Sequence, residues 1–192
     1  MGTVKVTNLE PIADNGTLTV GSSGDTVTFP SGVTVSGLTQ GITEADQWRL
    51  TANITGDVNP ISSNLERSDD ATFAKIGTGM SVNSGLWSFP GTGLWWVQGL
   101  FYIECVSGDY AEVNLAATAN NSSYDDISFS GNYTETAGDG GVALVGSYVN
   151  VTNTTNVKVK FYCNDLASGT AIRGSTTANR TYFTFIRLGA SQ

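Results

Sequence analysis

An aromatic-rich run that contains a Pro-Gly turn, together with a matching apolar run near the end of the chain, most constrains the fold of this protein. Residues 84–97 read SGLWSFPGTGLWWV, and a second apolar run, TYFTFIRLG, occupies residues 181–189. In both runs bulky apolar residues alternate with small or polar ones, which is the pattern of β-strands with one buried face. We therefore expect two core strands that are far apart in sequence and lie close together in the folded protein.

Most of the remaining chain predicts short strands joined by tight turns. The sequence has 23 glycines and only 4 prolines, and no long helical period occurs in it. Strands are predicted at residues 73–76, 85–89, 94–105, 110–117, 127–133, 142–151, 157–163 and 181–188. Residues 41–50 predict a helical turn leading into an extended run to residue 54, and residues 61–70 predict an irregular loop with Leu65 turned inward. This pattern indicates an all-β protein, either a sandwich or a jelly roll.

A change in composition near residue 40 divides the chain into two parts. Residues 1–40 contain almost no aromatic side chains, and Thr/Val-rich runs at 16–20, 25–29 and 32–36 predict short strands there. Such strands bury too little surface to fold alone, so they need sister subunits or another protein beside them. We expect an N-terminal β-rich attachment segment at 1–40 and a jelly-roll domain at 41–192.

Charge and hydropathy exclude several classes of partner. The formal net charge is −8, and a protein that binds nucleic acid needs clustered basic residues to neutralise phosphates. No apolar run approaches the roughly 20 residues of a membrane span, and residues 1–8 lack the basic and apolar pattern of a signal peptide. We therefore predict no nucleic-acid partner, no membrane insertion and synthesis in a cytoplasm.

The chain lacks the residues of most catalytic and metal sites. It contains no histidine, which excludes Ser-His-Asp and Cys-His nucleophile systems and His-ligated metals. Two carboxylate pairs, Asp69-Asp70 and Asp125-Asp126, are more typical of solvated turns than of a glycosidase pair. Calcium binding at Asp125-Asp126 is the weaker interpretation of the second pair. We predict no enzyme activity, no catalytic residue, no cofactor and no metal site.

The 2 cysteines, Cys105 and Cys163, both lie in predicted strands. In a reducing compartment they are expected to be buried free thiols. A cross-strand disulfide that forms after release from the cell is the alternative.

Trp87, Trp95 and Trp96 are either core and interface residues or a platform for sugars. Strand alternation places one of the adjacent pair Trp95-Trp96 inward and the other outward. The outward one needs a cover, most simply a neighbouring subunit, because aromatic side chains dominate both cores and interfaces. We favour the core and interface interpretation over an exposed sugar platform.

Several stretches resemble known proteins. Residues 42–99, with ITEADQWRL, PISSNLER and SFPGTGLW, and the closing NRTYFTFIRLGAS resemble structural proteins of marine and cyanobacterial phages. The opening MGTVKVTNLE is similar to the attachment end of short phage fibre or decoration proteins. In layout and in its Gly-aromatic strand, the C-terminal part resembles the jelly roll of the C1q and tumour-necrosis-factor (TNF) type.

This resemblance implies a homotrimer that stands on the surface of a virion and binds the major capsid protein or another virion protein. The residues expected to attach to the capsid are Val4, Val6, Leu9, Ile12, Leu18, Val20, Val27 and Phe29. The aromatics expected in the core or the trimer interface, together with the tryptophans above, are Phe101, Tyr182, Phe183 and Phe185.

A capsid decoration or head-fibre protein is the leading hypothesis for function. The alternative is a tail-fibre or receptor-binding tip that recognises host surface glycan through loops at 120–126 and 167–177. A polysaccharide-degrading tailspike and a lectin unrelated to phage are the remaining hypotheses.

Overall fold

The computed structural model describes residues 19–29, 31–33 and 41–192. The chain divides into two units, Met1–Leu38 and Thr39–Gln192. The expected boundary near residue 40 lies outside the described residues, so the assignment of an attachment segment and a jelly-roll domain stays a prediction. Among the described residues there is no helix long and apolar enough to cross a membrane.

The described part of the first unit contains no strand. Its only described backbone hydrogen bond is in a turn, where Asp25 N donates to Ser22 O at 3.0 Å. The strand predicted at 25–29 is therefore wrong, because an extended segment becomes a strand only when a neighbour completes its hydrogen-bond ladder. The strands predicted at 16–20 and 32–36 lie largely outside the described residues.

The second unit is built from antiparallel strands. In chain order these are β1 (Ala45–Leu50), β2 (Leu65–Arg67), β3 (Ser81–Asn83), β4 (Leu86–Ser88), β5 (Gly93–Glu104), β6 (Asp109–Thr118), β7 (Asp125–Thr134), β8 (Gly140–Val151), β9 (Lys158–Asn164), β10 (Ala171–Ile172) and β11 (Tyr182–Gly189). No helix occurs in the described residues. The all-β prediction is confirmed.

The strands form two sheets that pack face to face. In the first sheet β8, β5, β11, β1 and β2 are successive neighbours, and β10 pairs with the end of β5. In the second sheet the order is β3-β4-β9-β6-β7. Strands β5 and β11 pair in register along Trp95–Leu100, with a shift before Leu94, so the two aromatic runs do lie side by side.

Seven of the predicted strands correspond to β4 to β9 and β11, and the errors concern short elements. No helical turn occurs at 41–50, whereas Ala45–Leu50, in the stretch predicted to be extended, form β1 between β11 and β2. The loop predicted at 61–70 contains β2, and the strand predicted at 73–76 is only a single bridge from Ile76 to Ala45. Strands β3 and β10 were not predicted.

A cluster of aromatic rings lies in the core between the sheets. Phe183 of β11 lies at its centre, with its ring centroid 4.6 Å from that of Phe161, 5.7 Å from that of Phe101 and 5.8 Å from that of Trp87. These rings come from β9, β5 and β4, so one side chain links both sheets. Close packing of this kind leaves little space for any added atom.

Gly99 of β5 is expected to tolerate no side chain. A Cβ at this position would lie 2.7 Å from Phe101 Cε2 and 2.9 Å from Phe161 Cε1. We expect Gly99→Ala to lower the free energy of unfolding by about 1–3 kcal/mol, since overpacking displaces core rings. Chemical denaturation measures the loss. Gly91→Ala is the control, because a Cβ at Gly91 meets no atom within 4 Å. Equal stability of the two variants would contradict the prediction.

Candidate interaction surface

The first sheet has a second apolar face on the side away from the core. Along β5 the buried residues alternate with partly exposed ones, and β8 and β11 place further apolar side chains beside the latter. We call this the outer apolar face, and it comprises Trp96, Leu100, Tyr102, Val142, Leu144, Tyr148, Tyr182 and Ile186. Val142, Leu144 and Tyr148 are the most open, and Tyr148 is 64% exposed.

Cross-strand pairs extend this face across three strands in two apolar rows, which a row of Gln98, Gly146 and Thr184 separates. Trp96 lies between Tyr148 on β8 and Ile186 on β11. Leu100 lies between Leu144 and Tyr182 in the same way. Such neighbours on one side of a sheet are close enough to pack together. The result is an aromatic and aliphatic surface that crosses three strands.

The adjacent tryptophans lie on opposite sides of the sheet. Trp95 is buried and packs on Phe89, with ring centroids 5.1 Å apart. Trp96 packs edge-on against Tyr148 at 5.2 Å, and its Nε1–H donates to Gln98 Oε1 at 3.3 Å. Gly146 makes room for it, since a Cβ there would lie 3.0 Å from the Trp96 ring. Trp96 is therefore the outward member of the pair.

The aromatic residues predicted for the core or the trimer interface fall into two groups in the structure. The core contains Trp87, Trp95, Phe101, Phe183 and Phe185. The outer apolar face contains Trp96 and Tyr182. Their role in a trimer interface stays a prediction, as does the capsid-attachment role of the N-terminal residues. Of the latter, Val20, Val27 and Phe29 are exposed, whereas Val4, Val6, Leu9, Ile12 and Leu18 lie outside the described residues.

A hollow of about 370 Å³ opens on the outer apolar face. Leu100, Tyr102, Glu104, Val142, Asn179 and Arg180 line it. Glu104 is paired with Arg173 at the end of β5. Arg180 is exposed and forms no ion pair with any residue that the structure describes. The hollow is therefore lined by polar and charged side chains as well as by Leu100, Tyr102 and Val142.

The carboxylate pair Asp69-Asp70 has a structural role at one end of this sheet. Arg49 of β1 is only 1% exposed, and its guanidinium donates to Glu66 at 3.2 Å, to Asp70 at 3.1 Å and to Asp69. Burial alone would lower the pKa of Arg49, but the hydrogen bonds and charges of Glu66 and Asp69 outweigh it and raise that pKa. Asp69 and Asp70 therefore compensate a buried cation.

The second carboxylate pair lies at the start of β7. The hydroxyl of Tyr162 donates to Asp126 Oδ1 at 2.7 Å, while Asp125 is exposed. Burial, together with this hydrogen bond, raises the pKa of Tyr162 to about 12. In the described ranges no group of three or more His, Cys, Asp or Glu side chains is placed to hold a metal ion.

The loops predicted to contact glycan are stabilised by their own side chains. Asn120 Oδ1 accepts hydrogen bonds from Ser122 N at 2.9 Å and Ser123 N at 3.0 Å. Ser175 Oγ accepts in the same way from Thr177 N and Ala178 N, both at 3.2 Å. These are turn-forming bonds, and they leave the side chains that make them little freedom to bind a ligand.

Both cysteines are buried free thiols, as the sequence predicted. Cys105 exchanges long hydrogen bonds with Asn132, and Cys163 Sγ donates to Gly56 O at 3.9 Å. Burial raises the pKa of the Cys105 thiol and raises that of Cys163 to about 11. Because only the thiolate is a strong nucleophile, both groups should be unreactive near neutral pH.

We expect iodoacetamide to modify the native protein at pH 8 at least about 100-fold more slowly than the urea-unfolded protein, since folding removes both access and thiolate. Mass spectrometry of the alkylated peptides measures each site. Rapid labelling of Cys163 in the folded protein would contradict this prediction.

The raised pKa of Cys163 also means that its contribution to stability is complete below about pH 9 and is lost as the pH rises toward 11.

Comparisons with known proteins identify the fold. No model of a known protein family matches the sequence, and no curated protein matches it. Among solved structures, Eiger TNF from S. frugiperda matches with a TM-score of 0.57 and 11% identity, over 77% of this chain and 94% of that one. Murine APRIL at pH 5.0 matches with a TM-score of 0.55 and 9% identity, over 76% and 99%. The second unit is therefore a β-sandwich with the jelly-roll fold of TNF-like proteins.

Proposed function

We propose that this chain is a structural protein of a virion surface, a capsid decoration or head-fibre protein that assembles as a homotrimer. The outer apolar face is the observation that carries this proposal. The first sheet already buries one side against the second sheet, so a second apolar side is unexpected unless another molecule covers it. A sister copy is the simplest cover, because most soluble oligomers are symmetric homo-oligomers.

The fold supports this choice of partner. The matched solved structures share the jelly roll, and the sequence resembles trimeric virion proteins that carry such a domain. Trimerisation would bury Trp96, Leu144 and Tyr148 at once. The chain's net charge of −8 would keep a densely displayed protein soluble once that face is covered.

The described carboxylates favour a binding role over an enzymatic one. Asp69 and Asp70 bind Arg49, and Asp126 accepts a hydrogen bond from the hydroxyl of Tyr162. A glycosidase needs two carboxylates that face each other across an open cleft. These carboxylates instead hold neighbouring side chains in place.

Attachment to the capsid is assigned to residues 1–40. In that segment Val20, Val27 and Phe29 are exposed large apolar side chains that a shell protein could cover. Three copies of the segment would increase the strength of attachment through multivalency. Deletion of residues 1–40 should therefore abolish binding to the capsid and leave the trimer intact.

The oligomeric state tests the first part of the proposal. Light scattering after size-exclusion chromatography should give about 60 kDa, three times the chain mass of 20.1 kDa. Leu144→Asp should raise the concentration at which half of the trimer dissociates at least about 30-fold, because it buries an unpaired charge at each contact. Leu144 is 49% exposed in one subunit, so the variant should fold normally.

Asn83→Asp is the matched control, since it adds the same charge to an exposed position on the second sheet. It should remain trimeric. A wild-type monomer, or equal dissociation of both variants, would contradict the proposed assembly.

The copy number per purified virion, measured by mass spectrometry against the major capsid protein, tests the location. Hundreds of copies are expected for a shell decoration. A few copies to a few dozen would overturn that location and favour the tail-fibre tip that recognises host glycan. Complete absence from virions would reject both.

A further inference from the structure

Strand β7 presents aromatic side chains on the outer side of the second sheet, away from the core. Phe129 and Tyr133 are 70% and 58% exposed. They flank Gly131 on the same side of the sheet, because alternate residues of a strand face the same way. Two exposed aromatic side chains therefore stand on either side of a position that has no side chain of its own.

The ring of Tyr110, from the neighbouring strand β6, occupies the space above Gly131. Tyr110 pairs directly with Tyr133, yet a Cβ at the diagonal neighbour Gly131 would collide with the hydroxyl, Cζ and Cε2 of Tyr110. To reach this point the ring must lie along the surface of the sheet instead of standing away from it. The residue is nevertheless 41% exposed. Gly131 thus lets one aromatic ring lie down on the sheet while part of it stays open to solvent.

A buried amide holds two polar side chains beside this ring. Asn114 is only 2% exposed, and its Nδ2 donates to Glu112 Oε1 at 3.0 Å and to Asn164 Oδ1 at 2.8 Å. Glu112 pairs with Gly131 on one side and with Asn164 on the other, so this cluster adjoins the ring of Tyr110. A carboxylate and an amide can form further hydrogen bonds besides these. The ring therefore has pre-oriented polar groups next to it.

We call Tyr110, Glu112, Phe129, Tyr133 and Asn164 the sheet-face site. It lies on the outer side of the second sheet, whereas the outer apolar face lies on the outer side of the first sheet. The core of the sandwich separates these two surfaces. A copy that covers the outer apolar face therefore does not fill the sheet-face site.

The charge around the sheet-face site is negative. Glu112 belongs to the site, and Asn164 Nδ2 donates to the carboxylate of Asp165 at 3.1 Å. Burial raises the pKa of the Tyr110 hydroxyl, and the charges of Glu112 and Asp165 raise that pKa further, as a negative potential at the ring would. In a chain of net charge −8, this potential disfavours ligands that carry phosphate, sulfate or carboxylate groups.

An aromatic ring that lies on a surface beside planar hydrogen-bonding groups suits a sugar. The C–H groups on one face of a pyranose pack on an aromatic ring, and its hydroxyls can donate to a carboxylate and accept from an amide. A nucleobase would also stack, but its phosphates would meet Glu112 and Asp165. A protein partner suits the site less well, because the centres of protein interfaces are depleted of charged residues.

We propose that the sheet-face site binds a neutral glycan, with a sugar ring on Tyr110, its hydroxyls bonded to Glu112 and Asn164, and adjoining sugar units against Phe129 and Tyr133. This inference goes beyond the proposed structural role. It does not depend on assembly, since all five residues belong to one chain. Each single site is expected to bind weakly, and many copies on one surface would together bind a glycan-covered surface more tightly.

The first test measures binding of single sugars to the full chain by saturation-transfer NMR. The probes are the methyl glycosides of glucose, galactose, mannose and N-acetylglucosamine. At least one should bind with a dissociation constant on the order of 1 mM. The uronic acid of the same configuration should bind at least about 10-fold more weakly, because its carboxylate meets Glu112. No transfer signal from any of the neutral sugars, or equal binding of the uronic acid, would overturn the proposal.

The second test places the sugar on the ring of Tyr110. Tyr110→Ala removes the ring, whereas Gly131→Ala keeps every residue of the site and adds a methyl group where the ring lies. We expect each change to weaken binding of the best sugar at least about 10-fold, the loss of one stacking contact. Phe29→Ala is the control, because it removes an exposed aromatic side chain of the first unit and should leave the affinity unchanged.

Circular dichroism and the urea midpoint verify that each variant folds, and Tyr110→Ala alone decides the test if Gly131→Ala does not. Unchanged affinity in a folded Tyr110→Ala or Gly131→Ala variant, or an equal loss in Phe29→Ala, would overturn the proposed site. Either result would leave the proposed homotrimer untouched, because its test is the oligomeric state.

Discussion

Phe183→Ala is expected to lower the free energy of unfolding by about 3–5 kcal/mol, the range for removing a buried aromatic ring. Phe183 contacts rings from both sheets, and its closest neighbour is Phe161 at 4.6 Å. Its removal would leave a cavity between Phe101 of the first sheet and Phe161 of the second. Urea denaturation in the Leu144→Asp background, at a concentration where the proposed assembly would be dissociated, measures the loss without a contribution from assembly.

Thr184→Ala provides the control for this change. Thr184 is the next residue along β11 and faces away from the core, where its Oγ1 accepts a hydrogen bond from Gln47 Nε2 at 3.2 Å. We expect Thr184→Ala to cost about 1 kcal/mol or less. A loss below about 1 kcal/mol for Phe183→Ala would mean that the core repacks freely and that the ring cluster is not the centre of the fold.

Asp46→Ala should lower the free energy of unfolding by about as much as Phe183→Ala, but for an electrostatic reason. Asp46 is buried, and its carboxylate accepts from three N–H groups and from one guanidinium: Gln47 N at 3.0 Å, Trp48 Nε1 at 2.9 Å, Met80 N at 2.8 Å and Arg67 Nε at 3.0 Å. Without the carboxylate these donors, including a charged one, lose their acceptor. The expected cost is about 3–5 kcal/mol, as for breaking a buried ion pair.

Two further variants separate charge from hydrogen bonding. Asp46→Asn keeps the size of the side chain but turns one acceptor into a donor, so it should recover only part of the stability. Glu66→Gln alters an exposed partner of Arg49 and should cost about 1 kcal/mol or less. If Asp46→Ala were as mild as Glu66→Gln in urea denaturation, the network around Asp46 would contribute little to the fold.

Long strands were predictable from the sequence because apolar and polar residues alternate along each of them. In β5 every second residue is buried along its whole length, and local pattern reasoning found it within one residue. The pairing of β1 could not be predicted, because its partner β11 lies more than a hundred residues away in the sequence. β2, β3 and β10 have only two or three residues, so their alternation is too short to be detected.

The interaction surface was only partly predictable. The alternation of side chains along a strand required that either Trp95 or Trp96 face outward. Which of the two does so depends on the register of β5 against β8 and β11. The orientation of β7 could not be inferred, because Ile-Ser-Phe-Ser predicts a strand with the apolar residues inward. In the structure Phe129 and Tyr133 of β7 are exposed, and Ser128 and Asn132 instead form hydrogen bonds to distant parts of the chain.

Because Trp95 and Trp96 face opposite sides of the sheet, their fluorescence reports on two different parts of the protein. Trp95 is 1% exposed in the core, so its emission should shift to longer wavelength only when the sandwich unfolds. Trp96 emits from the outer apolar face beside Tyr148, so its emission should change whenever that face is covered or uncovered. Because the chain has 4 tryptophans, the difference between the spectrum of the wild type and that of a variant with phenylalanine at one of the two positions would isolate the emission of each.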